Sequence, residues 1–207
     1  MDNCCTGLYG FRGYQLDHDM ENEINNEMNN EMDHNMVNNN LPLEIERKFL
    51  IRYPDISVLE KLCVRKIAIS QTYLNAQMYV TRRIRKTQTD GKTQYWYTHK
   101  EKITDVTRIE REREITEEEY LSLLKEARPD SQTINKVRYN IPSKDLCFEV
   151  DIFSEWDDRA FAEVELKEEN QDFEFPECLE LIKEVTYDSR YTNSSLARNG
   201  FVYDDIS

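Results

Sequence analysis

The stretch Leu43-Glu44-Ile45-Glu46-Arg47-Lys48-Phe49-Leu50-Ile51 constrains the fold more than any other part of the chain. Read as a β-strand, it sets Glu44, Glu46 and Lys48 on one face and Ile45, Arg47, Phe49 and Ile51 on the other, because successive side chains alternate. Two carboxylates and an ammonium in a row cannot form a hydrophobic core. They suit the wall of a wet, highly charged cavity. The same step of two returns at Arg83 and Arg85, at Lys100, and at Arg108, Glu110, Glu112 and Glu114. It returns again at Lys136 and Arg138, at Glu149 and Asp151, and at Glu163 and Glu165. Ile109, Ile115, Phe148, Val150, Ile152, Val164 and Leu166 fill alternate positions.

A single strand of this kind is ordinarily a solvated sheet face. Seven segments, sorted so that some are mostly acid and others mostly base, predict something else. The expected fold is α+β: a closed eight-stranded antiparallel β-barrel with a charged interior, apolar residues outside and helices packed on that exterior. An inward ring of charge is prohibitively costly unless metal ions and a polyanion balance it. Arg offers planar, bidentate pairing to phosphate oxygens and Lys a point charge. Arg83, Arg85, Lys100, Arg108, Lys136 and Arg138 are therefore the expected substrate wall, with Arg190 as an extra contributor. Glu44, Glu46, Asp151, Glu163 and Glu165 are the expected metal wall, and Glu110, Glu112 and Glu149 are either metal ligands or structural partners of the bases. Oxygen-only ligands select a hard cation, Mg²⁺ or Mn²⁺.

Glu44-Ile45-Glu46-Arg47-Lys48 resembles the ExExK signature of the CYTH superfamily, the triphosphate tunnel metalloenzymes. Later segments follow that family's order: Gln71-Thr72-Tyr73-Leu74, Arg83-Ile84-Arg85, Thr98-His99-Lys100 and Arg108-Ile109-Glu110-Arg111-Glu112. Asn135-Lys136-Val137-Arg138-Tyr139, Phe148-Glu149-Val150-Asp151, Ala162-Glu163-Val164-Glu165-Leu166 and Arg190-Tyr191-Thr192-Asn193 complete the series. ExExK alone is a weak signal; ordered elements spread over residues 41–200 are a specific one. The chain most resembles the short, single-domain members that act as inorganic triphosphatases. The resemblance implies that Glu44, Glu46, Glu163 and Glu165 are the principal metal ligands and Lys48 a phosphate-binding lysine. It also implies that Tyr73 lies beside Lys136, the pair helping to activate water. Thiamine triphosphatase, RNA 5′-triphosphatase and class IV adenylate cyclase are alternatives on the same fold. A polyphosphate-binding regulatory module is the non-enzymatic one, and the presence of every motif residue argues against it.

The chain has 207 residues and a net charge of −14, which argues against nucleic acid as a passive partner. Half of that charge lies in residues 1–40, which hold eight acids and one base, Arg12. This Asn- and Met-rich tail reads as low-complexity disorder. Ile24, Met28, Met32 and Met36 at intervals of four make a docking helix for a protein partner the alternative. Residues 41–207 are the expected tunnel domain. Five cysteines with no CxxC or Cys/His spacing read as free thiols, no stretch suits a membrane span, and the expected compartment is the cytoplasm.

Strands are expected at about residues 67–75, 77–87, 93–102, 107–115, 133–141, 145–153 and 161–167, with Asp90-Gly91 as a hairpin turn. Asp55 or Ser57 should cap a short helix through Leu59 and Leu62, and Thr116 with Glu119 should open a second. A third helix is expected from about Pro176 through Leu179, Ile182 and Val185, and a last turn from Asn193 to Arg198. His99 should face away from the charged face that carries Lys100.

Overall fold

The computed structural model describes residues 43–77, 80–102 and 107–206. The expected disorder or docking helix of residues 1–40 lies outside them. Nine strands form one antiparallel sheet: β1 (Leu43–Arg52), β2 (Arg65–Tyr73), β3 (Val80–Thr89), β4 (Lys92–Lys102), β5 (Thr107–Ile115), β6 (Ile134–Ser143), β7 (Leu146–Phe153), β8 (Arg159–Leu166) and β9 (Leu181–Glu184). Their order is β5-β4-β3-β2-β6-β7-β8-β1-β9. The first three residues of β1 also run beside β5, Glu44 opposite Arg108.

Local chemistry fixes the connections. Asp90 and Gly91 take φ values of 49° and 74°, the left-handed pair that a two-residue hairpin between β3 and β4 requires. A second two-residue turn, Lys144-Asp145, joins β6 to β7, with Lys144 at φ 51°. Helix α1 (Ile56–Leu62) is capped by Asp55, whose carboxylate accepts from the Ser57 amide. In α2 (Glu117–Leu123) the Thr116 hydroxyl accepts from the Glu119 amide. Thr192 caps α3 (Asn193–Asn199), and Gly200 at φ 84° ends it.

One expected element is corrected. Residues 181–184 form strand β9, not a helix, and the sheet gains a ninth strand. Beyond Ile45, β1 leaves β5 and would carry an unpaired edge; β9 takes it up, with Phe49 opposite Glu184 and Leu50 opposite Lys183. Satisfying that backbone outweighs the spacing of Leu179, Ile182 and Val185, which suits a helix stripe.

Alternation sorts the two faces. On the outer face, Phe49, Ile51, Phe148, Val150, Ala160, Ala162 and Val164 pack with Leu59 of α1 and with Phe173, Phe175 and Leu179. Ile84 and Ile115 pack with Tyr120 of α2 in a separate cluster. The other face is divided along its length. Glu46, Lys48, Lys136, Asp151 and Glu163 occupy one stretch; Leu50, Ile134, Phe153 and Phe161 follow at the next inward positions. Trp156, Tyr191, Leu196 and Phe201 pack onto these, so an apolar floor lies under the charged region. The Trp156 indole donates to the Val202 carbonyl and Arg159 to that of Asp204, fastening the C-terminal residues across the floor.

Phe161 is fully buried between Phe153, Trp156 and Tyr191. Phe161→Ala should therefore destabilise the protein by about 3–5 kcal/mol, read as a lower urea midpoint at unchanged slope. An unchanged midpoint would contradict this packing.

Candidate functional site

The charged stretch opens into a cavity of about 980 Å³. Its wall includes Glu46 and Lys48 from β1, Tyr73 from β2, Arg83 and Arg85 from β3, and Lys100 from β4. β5 contributes Glu110 and Glu112, β6 Lys136 and Arg138, β7 Glu149, and β8 Glu163 and Glu165. Thirteen of the expected site residues are thus brought to one wall by eight described strands and a step of two. Of Glu44 and Arg108, only the backbone is described, and it pairs them across β1 and β5.

Two expected residues fall elsewhere. Asp151 is not on the lining; it is fully buried behind it, both carboxylate oxygens held by Lys136 and Arg138. It serves the bases and is not presented as a metal ligand. Arg190 lies in the turn after β9, half exposed, its guanidinium held by Asp188 and Asp204 and not facing the cavity. It lies outside the strands, so the step-of-two pattern never applied to it. His99 pairs with Glu101 and is not part of the lining, as its parity predicts.

The lining also holds Thr192 and Asn193, from the last of the family-like segments, and residues the sequence did not single out: Asp145, Lys167, Thr186 and Ser194. Lys167 continues the Glu163, Glu165 step and was legible in that pattern. The others come from turns and a helix start, where no period marks the inward face.

Ion pairs organise the wall. Lys48 Nζ lies 2.9 Å from Glu163 and 3.8 Å above the Phe161 ring. Arg138 donates to Asp151 at 2.7 Å and to Glu163 at 2.7 Å, and also pairs with Glu149. Lys100 reaches Glu110 at 2.7 Å, Arg83 lies 3.5 Å from the same carboxylate, and Arg85 pairs with Glu112. Glu112 also accepts from the buried Thr98 hydroxyl at 3.1 Å.

Burial and these neighbours set the protonation behaviour. Burial would push the Asp151 carboxyl up, but Arg138 and Lys136 beside it hold it below its ordinary value. Burial also opposes the charge of Glu163, and Lys48, Lys136 and Arg138 hold it well below the usual range. Burial, aided by Arg138, brings the Lys136 ammonium down to about 8, Asp151 and Glu163 only partly offsetting it. Burial pushes the Tyr73 hydroxyl up to about 12, keeping it protonated.

Among the described residues, no three carboxylate, histidine or cysteine side chains already converge as a metal site. The acids nevertheless suit a hard cation. Glu46 stands directly opposite Glu165 on β1 and β8, and Glu149 opposite Glu163 on β7 and β8. Like charges directly opposite repel, and an intervening divalent ion would relieve that repulsion.

A cavity with separate sets of Arg/Lys and of carboxylates defines a class of protein that binds polyphosphate chains. The chain is 31% identical over 159 residues to the inorganic triphosphatase of Acetivibrio thermocellus, spanning 76% of this chain and 95% of that protein. It belongs to the inorganic triphosphatase family. The crystal structure of the inorganic triphosphatase NE1496 shares 29% identity over 74% of this chain and 93% of its own, with a TM-score of 0.47. The PH1819 protein of Pyrococcus horikoshii shares 21% identity over 61% of this chain and 80% of its own, with a TM-score of 0.47. No family model matches the chain.

The buried charges make stability depend on pH. Asp151 and Glu163 titrate lower folded than unfolded, so their contribution is present above the ordinary values of 3.8 and 4.5 and is lost as the pH falls through the folded ones. Lys136 also titrates lower folded, at about 8 against an ordinary 10.5, so the unfolded chain holds the extra proton between those values. Stability from this group therefore rises with pH across that window. Urea unfolding at pH 8 and 10.5 should show that Lys136→Met removes a stabilising increment present in the parent. An identical pH dependence in both proteins would show that Lys136 is not depressed.

Proposed function

We propose that this protein hydrolyses a triphosphate, with inorganic tripolyphosphate as its substrate, inside a tunnel closed where β5 meets β1. The observation that carries the reading is the one cavity whose wall gathers Lys48, Arg83, Arg85, Lys100, Lys136 and Arg138 with Glu46, Glu163 and Glu165. Its support is the kinship with a protein named an inorganic triphosphatase, aligned over nearly all of that protein. Phosphoryl transfer asks a protein chiefly for charge neutralisation and positioning, and the wall supplies both.

In this reading the six bases, with Arg108, hold the phosphate oxygens. Glu46 and Glu165, facing each other, would hold Mg²⁺ or Mn²⁺ together with Glu163 and Glu44. The ion would supply further neutralisation of the phosphate and acidify water when bound. Glu110, Glu112 and Glu149 are structural partners that hold Arg83, Lys100, Arg85 and Arg138 extended into the cavity. Lys136 and Tyr73 are the residues placed at the reaction itself. The β2–β6 register sets Lys136 against Ile69, and the Tyr73 hydroxyl accepts from Gln71; both side chains line the same cavity. Cys63, Cys147 and Cys178 are free thiols, which supports a reducing compartment such as the cytoplasm. No helix among the described residues is long and apolar enough to cross a membrane.

Phosphate release from tripolyphosphate, ATP, thiamine triphosphate and 5′-triphosphate RNA should favour tripolyphosphate. Glu165→Gln and Arg85→Ala should each lower that rate by at least about a hundredfold, equivalent to about 2.7 kcal/mol. Extra Mg²⁺ or Mn²⁺ should restore part of the rate in Glu165→Gln and none in Arg85→Ala. Parental rates in both folded variants would refute the assignment.

A further inference from the structure

Gln71 is 0% exposed, yet it sits at an inward position of β2 directly opposite Arg85 and next to Ile134 of β6. Its side-chain Nε2 donates to the Tyr73 hydroxyl at 2.7 Å. Its Oε1 is buried and, among the described residues, has no hydrogen-bond partner. A buried amide half satisfied in this way is a poor choice for stability alone, since an apolar side chain of similar volume would leave nothing unpaired. The residues before it at inward positions, Ile67 and Ile69, are apolar. The amide must be explained by what it does to Tyr73.

The phenol oxygen accepts from Gln71, so its own hydrogen has to be given elsewhere. The Arg83 guanidinium is a second donor at the Tyr73 hydroxyl, so both of its partners in the protein give hydrogens to it. Its neighbour across the β2–β3 ladder is Arg83, whose guanidinium can only donate. What remains is the cavity, which Tyr73 lines together with Arg83 and Arg85. An anionic phosphoryl oxygen there is the natural acceptor, because a hydrogen bond to a charged oxygen is about twice as strong as a neutral one.

We infer that Gln71 is a positioning residue: by donating to the Tyr73 hydroxyl it turns the phenolic hydrogen into the cavity, where Tyr73 donates to a phosphoryl oxygen of the bound triphosphate. Tyr73 stays protonated throughout, and its contribution is a directed donor. The inference rests on the reading that the cavity takes a triphosphate. It narrows the part Tyr73 plays there from water activation to transition-state binding. A donor aimed before the substrate arrives strengthens as charge builds on the transferred group, so its loss should appear in kcat more than in KM.

The test is a double-mutant cycle on the full chain, with tripolyphosphate as the substrate and melting temperature as the check on folding. Gln71→Met keeps the volume and removes the amide. It should lower kcat by about tenfold while KM changes by less than about twofold. Gln71→Glu keeps the shape but offers only an acceptor, which would draw the phenolic hydrogen away from the cavity, and it should lose at least as much. In a Tyr73→Phe background neither change should lower kcat further. Losses that multiply in the double variants would overturn the inference, since Gln71 would then act independently of Tyr73. So would a parental kcat in Gln71→Met, or unfolding of both Gln71 variants, which would make the amide a stability element. If Tyr73→Phe alone hydrolyses tripolyphosphate at the parental rate, the inference falls together with the assignment of Tyr73. The triphosphatase reading would then still be judged by Arg85→Ala and Glu165→Gln.

Discussion

Asp151 is the pivot of the charged wall. A carboxylate withdrawn completely from water costs several kcal/mol unless partners compensate it. Here the compensation comes from Lys136 and Arg138 on the neighbouring strand. Arg138 reaches on to Glu149 and Glu163, and Glu163 reaches Lys48. One connected network therefore ties β6, β7, β8 and β1 through side chains on the cavity face, beside the backbone ladders that already join them. Removing one member leaves its partner buried and unpaired, which is costlier than the pair was worth.

The apolar floor makes that network effective. Lys48 stands over Phe161 and Lys136 lies near Phe153, so neither ammonium has water beneath it. With one side shut by hydrocarbon, each cation must look to its acid or into the cavity. The same exclusion of water strengthens whatever those cations meet there. The C-terminal residues belong to this arrangement: Phe201 and Val202 pack on the floor, and Tyr203 and Arg159 bond across it.

The strands, the hairpin at Asp90-Gly91 and the inward placement of Glu46, Arg85, Lys136 and Glu163 were all legible in the sequence, because a period of two survives any tertiary context that buries one face. The role of Asp151 was not. It shares the parity of Glu149, and parity cannot distinguish a side chain on the lining from one sealed behind Arg138. The floor was present as Leu50, Ile134, Phe153 and Phe161, each two residues beyond a charged step, but that change of character along one face is easily read as a strand end. Strand β9 was hidden because its reason to exist lies in another strand's open edge. Arg190 was singled out by its charge and by its place in the last family-like segment, and neither gives a side chain a direction.

Lys48, Arg83, Arg85, Lys100, Lys136 and Arg138 each already have an acid for a partner, and in the proposed reading this sets the terms on which a polyphosphate would bind. A phosphate oxygen bound by Lys48 and Arg138 would compete with Glu163 for their N–H groups, and one bound by Lys100 would compete with Glu110. The displaced carboxylate cannot remain buried and unpaired, so it needs a cation in turn. Glu163, released in this way, would lie one step along β8 from Glu165, which already faces Glu46. In the proposed reading, an anion bound by the bases would prepare the acids for a divalent ion, and an ion bound by the acids would free the bases for the anion. Linkage makes the effect mutual: whatever factor one ligand adds to the affinity of the other is returned. In that reading the ion pairs of the cavity are a set of exchangeable partners for the two ligands.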